Sequence, residues 1–233
     1  MIPAQALDDF KLSQFKPGLL WRVDGGEQVL DPVQCLPFYH SLRDSSIDVT
    51  DLPLKVVETL GGWTWRKERE EELDGVFRAK EFLRFEHVWL GTPEATTQIR
   101  EEVLGSVTSL LLELGLSTQT VVGEGCMPIP EVTQRTLDAK VPSEVPVIDI
   151  ELRVREAKSP GELTAADFDE IAGCTIEGSH HLESFGITST TGEEIWSGCC
   201  GVGLNRLVIG FLFQHGFDPK KWPAVITEGN AIV

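Results

Sequence analysis

The run Trp-Ser-Gly-Cys-Cys-Gly-Val-Gly-Leu-Asn-Arg, from Trp196 to Arg206, passes straight into the apolar stretch 207–213. It constrains the fold more than any other part of the chain. A strand-like segment that ends in spaced glycines and turns at once into an apolar helix demands a sheet with that helix packed closely on it, because glycine alone brings no side chain to the contact. Arg206 then stands in the first helical turn, where backbone and guanidinium can approach a polyphosphate. The same pattern also suits a helix merely packed on a strand, with the arginine in a structural ion pair. Other segments have to decide between the two.

Polar/apolar alternation marks strands at 63–68 and 82–90, an antiparallel pair joined by a long charged loop. Thr92-Pro93-Glu94 is a helix start, with a capping threonine, a proline at the first helical position and an acid in the first turn; Gly115 is the stop. Strands are further expected at 54–60, 121–122, 145–155, 175–187 and 193–199, and helices at 32–42 and 203–216. Residues 1–30 read as a short helix and a hairpin. Strand runs with few helices predict an α+β fold with a mainly antiparallel sheet flanked by helices.

The length of 233 residues, 41% hydrophobic and 24% charged, suits one globular domain over 1–233, with 1–30 as an N-terminal extension. A net charge of −17 excludes a broad basic surface for a phosphate backbone, so any nucleic-acid contact has to be local. No apolar run approaches the ~20 residues of a membrane span, and Met1-Ile-Pro-Ala-Gln is no leader, so a cytoplasmic protein without a membrane partner is expected. Five cysteines, an odd number without framework spacing, favour reduced thiols.

Arg66 and Glu68 are two apart on a strand and share a face. A cation and an acid so placed can hold a phosphate and an amino group, or form a surface ion pair. The charged stretch 69–74, with Arg78, Lys80 and Arg84 beyond it, is either a solvated hairpin or a source of phosphate-binding arginines. For a metal, the candidates are the thiols, carboxylates and the His180-His181 pair; no Cys-x-x-Cys occurs, and spacing alone favours buried unligated cysteines. Cys199 and Cys200, adjacent on a strand, face opposite sides, so at most one is a ligand.

Three segments, Arg66-x-Glu68, then Glu81-Phe-Leu-Arg-Phe-Glu-His-Val-Trp-Leu-Gly-Thr-Pro-Glu94, then Trp196 to Arg206, together resemble class II aminoacyl-tRNA synthetases. The resemblance is specifically to the catalytic core of the methanogen-type seryl-tRNA synthetases and their relatives, the amino acid:[carrier protein] ligases. It implies ATP-dependent amino acid activation. Arg66 and Glu68 match motif 2, the arginine on the α-phosphate of ATP. Arg78 falls where that region supplies a second arginine, and Gly201, Gly203 and Arg206 match motif 3. Glu170 resembles the acid that holds Mg²⁺ on ATP. Asp31-Pro-Val-Gln-Cys-Leu-Pro-Phe-Tyr39 resembles the segment of the first zinc ligand. The resemblance thus implies a Zn²⁺ site of Cys35, Glu86 and Cys199 and leaves Cys126, Cys174 and Cys200 to packing.

The short stretch before the first metal segment leaves no separate tRNA-binding domain, and no convincing motif 1 is present. With the charge, this makes tRNA an unexpected partner. The expected acceptor is the phosphopantetheine thiol of a carrier protein, with a small-molecule acceptor, a stand-alone seryl-tRNA synthetase-like core or a catalytically inactive regulatory paralogue as alternatives. The amino acid is expected to be small: serine, glycine or alanine. A homodimer stays open.

Overall fold

The computed structural model describes residues 1–11, 20–23, 25–58, 62–66, 77–123, 130–141, 144–156 and 163–228. Glu68, Cys126 and the charged stretch 69–74 lie outside the described residues. The strands are β1 (Ile2–Pro3), β2 (Gln28–Val29), β3 (Ser46–Ile47), β4 (Leu54–Val57), β5 (Gly62–Trp65), β6 (Glu81–Gly91), β7 (Thr118–Val122), β8 (Val147–Arg153), β9 (Phe168–Gly178), β10 (Thr188–Ser189) and β11 (Trp196–Gly203). The helices that matter here are α1 (Ala4–Asp9), α2 (Cys35–Ser41), α3 (Pro93–Glu113), α4 (Pro130–Asp138), α5 (His180–Ser184) and α6 (Leu204–His215).

Seven strands form one antiparallel sheet in the order β4-β6-β11-β9-β8-β7, with β5 also on β6. Because β11 takes one edge of β6, β4 and β5 lie end to end along the other. The α+β class with a mainly antiparallel sheet agrees with the sequence pattern.

One face of the sheet carries α3 and α6. The Thr92 hydroxyl accepts the Ala95 N–H at 3.2 Å and Pro93 opens the helix, so the start of α3 is set by its caps. Trp89, Ile99, Cys174 and Cys200 pack together beneath α3, and Leu111, Ile150, Leu152, Ile171 and Val202 form a second cluster with Leu207 and Phe211 of α6. The opposite face is covered at one end by α1 and α2, whose Ala6, Leu7, Leu36 and Tyr39 pack with Val88, Leu90, Val147 and Cys199. Strand alternation explains the split: 88 and 90 go one way, 89 the other.

The strand expected over 175–187 differs. It begins at Phe168 and ends at Gly178, whose φ of +72° turns the chain into α5. A positive φ favours glycine, and the apolar residues that follow face the core from a helix rather than a strand. Among the described residues no helix is long and apolar enough to cross a membrane.

Candidate active site

Register places the candidate residues. Asp149 of β8 is opposite Gly173 of β9, Gly173 opposite Gly201 of β11, and Gly201 opposite Glu86 of β6. This row runs across four strands with its side chains on the face away from α3, so two carboxylates flank a floor of two glycines. Neighbouring side chains occupy the space above the glycines. A Cβ on Gly201 would lie 1.8 Å from Nε of Arg84, and one on Gly173 would lie 3.1 Å from Oδ1 of Asp149.

At one end of this floor, Cys35 from the start of α2, Glu86 from β6 and Cys199 from β11 bring their ligand atoms within 4.8 Å of one another, and all three are buried. Two sulfurs and a carboxylate oxygen at that spacing suit a tetrahedral ion with bonds of roughly 2.0–2.3 Å and an open fourth position. The carboxylate is poised for such a partner. Glu86 is 2% exposed, and neither of its oxygens has a hydrogen-bond partner among the described residues. Arg84 Nε lies 2.8 Å from Glu86 Oε2, near enough for attraction but out of hydrogen-bond geometry. Burial raises the Glu86 pKa, against the lowering effect of Arg84 and the Cys199 thiol. The Cys35 thiol beside it, and then burial, push the Cys199 thiol well above its ordinary range. These residues therefore fit a thiophilic divalent cation such as Zn²⁺. His180 and His181 are not part of the triad; the His181 ring stacks on Phe10 at 4.1 Å and lies 3.5 Å from the Glu177 carboxylate.

At the other end the arginines converge. Arg206, in the first turn of α6, donates to the Glu170 carbonyl at 3.0 Å and lies 3.7 Å from the Glu170 carboxylate. Its guanidinium stands 5.2 Å from the Phe82 ring and 5.6 Å from Phe77. Burial lowers its pKa, opposed by Glu170, and the nearby Arg78 and Arg66 lower it further. Arg78 pairs with Asp169, whose other oxygen takes Arg155 at 3.1 Å. On a chain of net charge −17, these clustered cations beside Asp169 and Glu170 are a local arrangement whose chemistry suits an anion with a bound cation.

Arg66 couples the two ends. Its Nε donates to the Pro32 carbonyl at 2.8 Å, in the segment that carries Cys35, while its own backbone N–H bonds Lys80. Gly203 caps α6 and leaves Arg206 3.4 Å from the position of a Cβ. Asn205 accepts the Leu83 N–H at 2.7 Å and so ties α6 to β6.

Phe77 and Asp169 carry no motif signal in the sequence; Phe77 flanks Arg206 together with Phe82, and Asp169 joins two arginines. Arg84, named among the candidate phosphate-binding arginines, lies over Gly201 and beside Glu86, which is two residues along the same strand face. Cys174 and Cys200 are opposite each other across β9 and β11, on the α3 side.

A single antiparallel sheet in this order, with a glycine floor leading to an arginine cluster at the first turn of α6, is the architecture of a class II synthetase catalytic core. The chain belongs to that family: the model of the class II tRNA synthetase core domain (G, H, P, S and T) matches residues 20–214. The type-2 serine–tRNA ligase of Methanopyrus kandleri is 34% identical over 201 residues, 86% of this chain and 37% of the relative. That of Methanococcus maripaludis is 35% identical over 200 residues, with the same coverage of 86% and 37%. Among solved structures, Methanopyrus kandleri SerRS in complex with A. aeolicus tRNASec aligns with a TM-score of 0.82 and 27% identity, covering 97% of this chain and 49% of that one. The seryl-tRNA synthetase of Pyrococcus horikoshii complexed with ATP shares the fold at a TM-score of 0.67 and 16% identity, over 96% of this chain and 52% of that one. The chain thus spans about 37% of the length of the curated relatives it matches.

These likenesses correct the expectation that tRNA is not a partner. The relatives are named as serine–tRNA ligases, and one matched structure holds a tRNA. Net charge is a weak ground for excluding such a partner, because −17 is a sum over the chain, whereas binding answers to local potential.

Proposed function

We propose that this chain activates a small amino acid with ATP, serine first, to give an aminoacyl-adenylate and pyrophosphate, and that it is a zinc-dependent ligase core. The observation that carries the reading is the single sheet face on which Cys35, Glu86 and Cys199 converge at one end and Arg66, Arg78 and Arg206 at the other. Zinc held by the three ligands would supply an open position for the amino group of the substrate. The amino acid carboxylate then faces the α-phosphorus across the Gly173/Gly201 floor. Attack by one carboxylate oxygen forms the new P–O bond as the bond to pyrophosphate breaks. Arg66 at the α-phosphate and Arg206 and Arg78 at the outer phosphates would offset the developing charge, and Glu170 would hold the Mg²⁺ that ATP brings. Glu68 takes its motif 2 role in the amino acid and adenine region by resemblance.

Serine is the first candidate from the relatives' names. The acceptor those names suggest is the 3′ end of tRNA, and the carrier-protein thiol expected from the sequence is tested in parallel.

The test is amino-acid-dependent ATP–pyrophosphate exchange by the zinc-loaded chain, screened over the twenty amino acids, followed by transfer from the preferred one to tRNASer and to a holo carrier protein. Exchange is expected with serine or another small amino acid. No exchange with any of the twenty overturns the reading.

A further inference from the structure

Behind the metal triad lies a buried polar group that amino acid activation does not use. Tyr39 is 0% exposed, and its hydroxyl has no hydrogen-bond partner among the described residues. A buried hydroxyl left unpaired costs about 1–3 kcal/mol, so its retention calls for a reason.

Two elements set the position. Tyr39 follows Cys35 by four residues in α2, which puts both side chains on one face of the helix, one turn apart. Ser197 precedes Cys199 by two in β11 and shares its face. The charged or ionisable groups that act on the Tyr39 hydroxyl are Cys35, Cys199 and Glu177. Ser197 acts on the Tyr39 hydroxyl as well but makes no bond of hydrogen-bond geometry with it, and donates instead to the Gly178 carbonyl at 3.3 Å. The ring is held among Phe38 at 5.6 Å, His181 at 5.3 Å and Phe185 at 6.0 Å, so the hydroxyl stays where it is.

We propose that the Tyr39 hydroxyl is the hydrogen-bond donor reserved for the sulfurs of Cys35 and Cys199 when both are thiolates on a metal. The inference rests on the zinc reading above. Neutral thiols are weak acceptors and thiolates stronger ones, so the bond gains most when both cysteines are ionised on a metal. Two thiolates and the Glu86 carboxylate around a dication leave a net negative charge in a buried place, and the Glu177 carboxylate adds to it. A neutral O–H donor relieves that charge without bringing a second cation against the metal. Donors of this kind orient metal ligands and tune their strength. Tyr39 is thus a positioning residue, acting through the sulfurs.

Tyr39→Phe removes one oxygen and keeps the ring. Zinc affinity of the full chain, measured by competition with a chromophoric chelator, is expected to fall 10–100-fold. In the Co²⁺-substituted chain the sulfur-to-cobalt charge-transfer band is expected to move to lower energy. The metal-free variant is expected to melt at the same temperature as wild type or higher, since an unpaired buried hydroxyl is gone. A residue that only fills space would lower stability with and without metal alike, and that outcome overturns the proposal. Equal zinc affinity with an unshifted band also overturns it and leaves the zinc reading standing. If wild type takes up no more zinc than Cys199→Ala, the zinc reading falls and this proposal with it.

Discussion

Cys199 and Cys200 are consecutive residues of β11 whose thiols serve opposite sides of the sheet. Cys199 joins Cys35 and Glu86, while Cys200 lies opposite Cys174 among Trp89 and Ile99 beneath α3. Cys35→Ala and Cys199→Ala are therefore expected to lose close to one zinc per chain and all amino-acid-dependent exchange. Cys200→Ala is expected to keep both and lose about 1–2 kcal/mol of stability through the small cavity it leaves. Metal analysis of the three purified variants checks this; equal zinc loss in all three contradicts the ligand assignment.

Gly198 and Gly201 separate in the same way. A Cβ on Gly198 would meet the buried Trp89 ring at 2.6 Å, and a ring held in the core cannot yield easily. Gly198→Ala is expected to cost about 1–3 kcal/mol in denaturant unfolding. A Cβ on Gly201 would instead meet the Arg84 guanidinium, the far end of a flexible side chain. Gly201→Ala is expected to unfold nearly as wild type does but to exchange ~10–100-fold more slowly, because the displaced Arg84 leaves Glu86 and crowds the glycine floor.

Asp169 divides its carboxylate between Arg78 and Arg155, and its Oδ1 also accepts the Glu170 N–H at 3.0 Å. Asp169→Asn keeps the shape and one acceptor but loosens both guanidiniums. The expected result is a KM for ATP raised about 10-fold, with zinc content and the KM for the amino acid little changed. Equal effects on both substrates would show that Asp169 supports the whole sheet end rather than the nucleotide side.

Asp31 gives a pH signature. Burial raises its pKa from 3.8 to about 7, with Glu58 and Glu86 adding to the rise against the Val33 N–H it accepts. A pKa higher in the folded than in the unfolded chain means that the folded form binds the extra proton. The contribution to stability is therefore full below pH ~4 and is lost as pH rises through about 7. Asp31→Asn keeps the acceptor for Val33 and cannot ionise. Metal-free wild type is expected to lose stability relative to this variant between pH 4 and 8, by on the order of 3–4 kcal/mol. Parallel urea-unfolding curves across that range contradict the assignment.

Much of the architecture was legible in the chain itself. Alternation over 82–90 and the Gly201/Gly203 spacing before an apolar run marked the central strands and α6, and Thr92-Pro93 marked the start of α3, because these signals act between near neighbours. Period-two geometry also separated Cys199 from Cys200. The end of β9 at Gly178 was not legible, since the apolar residues after it would suit either a strand or a helix; the positive φ of one glycine decided.

The site depended on more than local pattern. Sequence spacing left the thiols uncommitted, and only resemblance joined Cys35, Glu86 and Cys199; the fold brings their ligand atoms within 4.8 Å. Nothing local tells that Arg84 lies over Gly201, that Asp169 holds two arginines, or that the Tyr39 hydroxyl stands unpaired beside the thiols. The chain by itself determined which residues turn to which face of their own strand or helix. Only the tertiary structure decided which faces meet, because strand register and helix docking are set by the burial of the whole apolar surface, and a slip of one residue would turn every ligand to the other side.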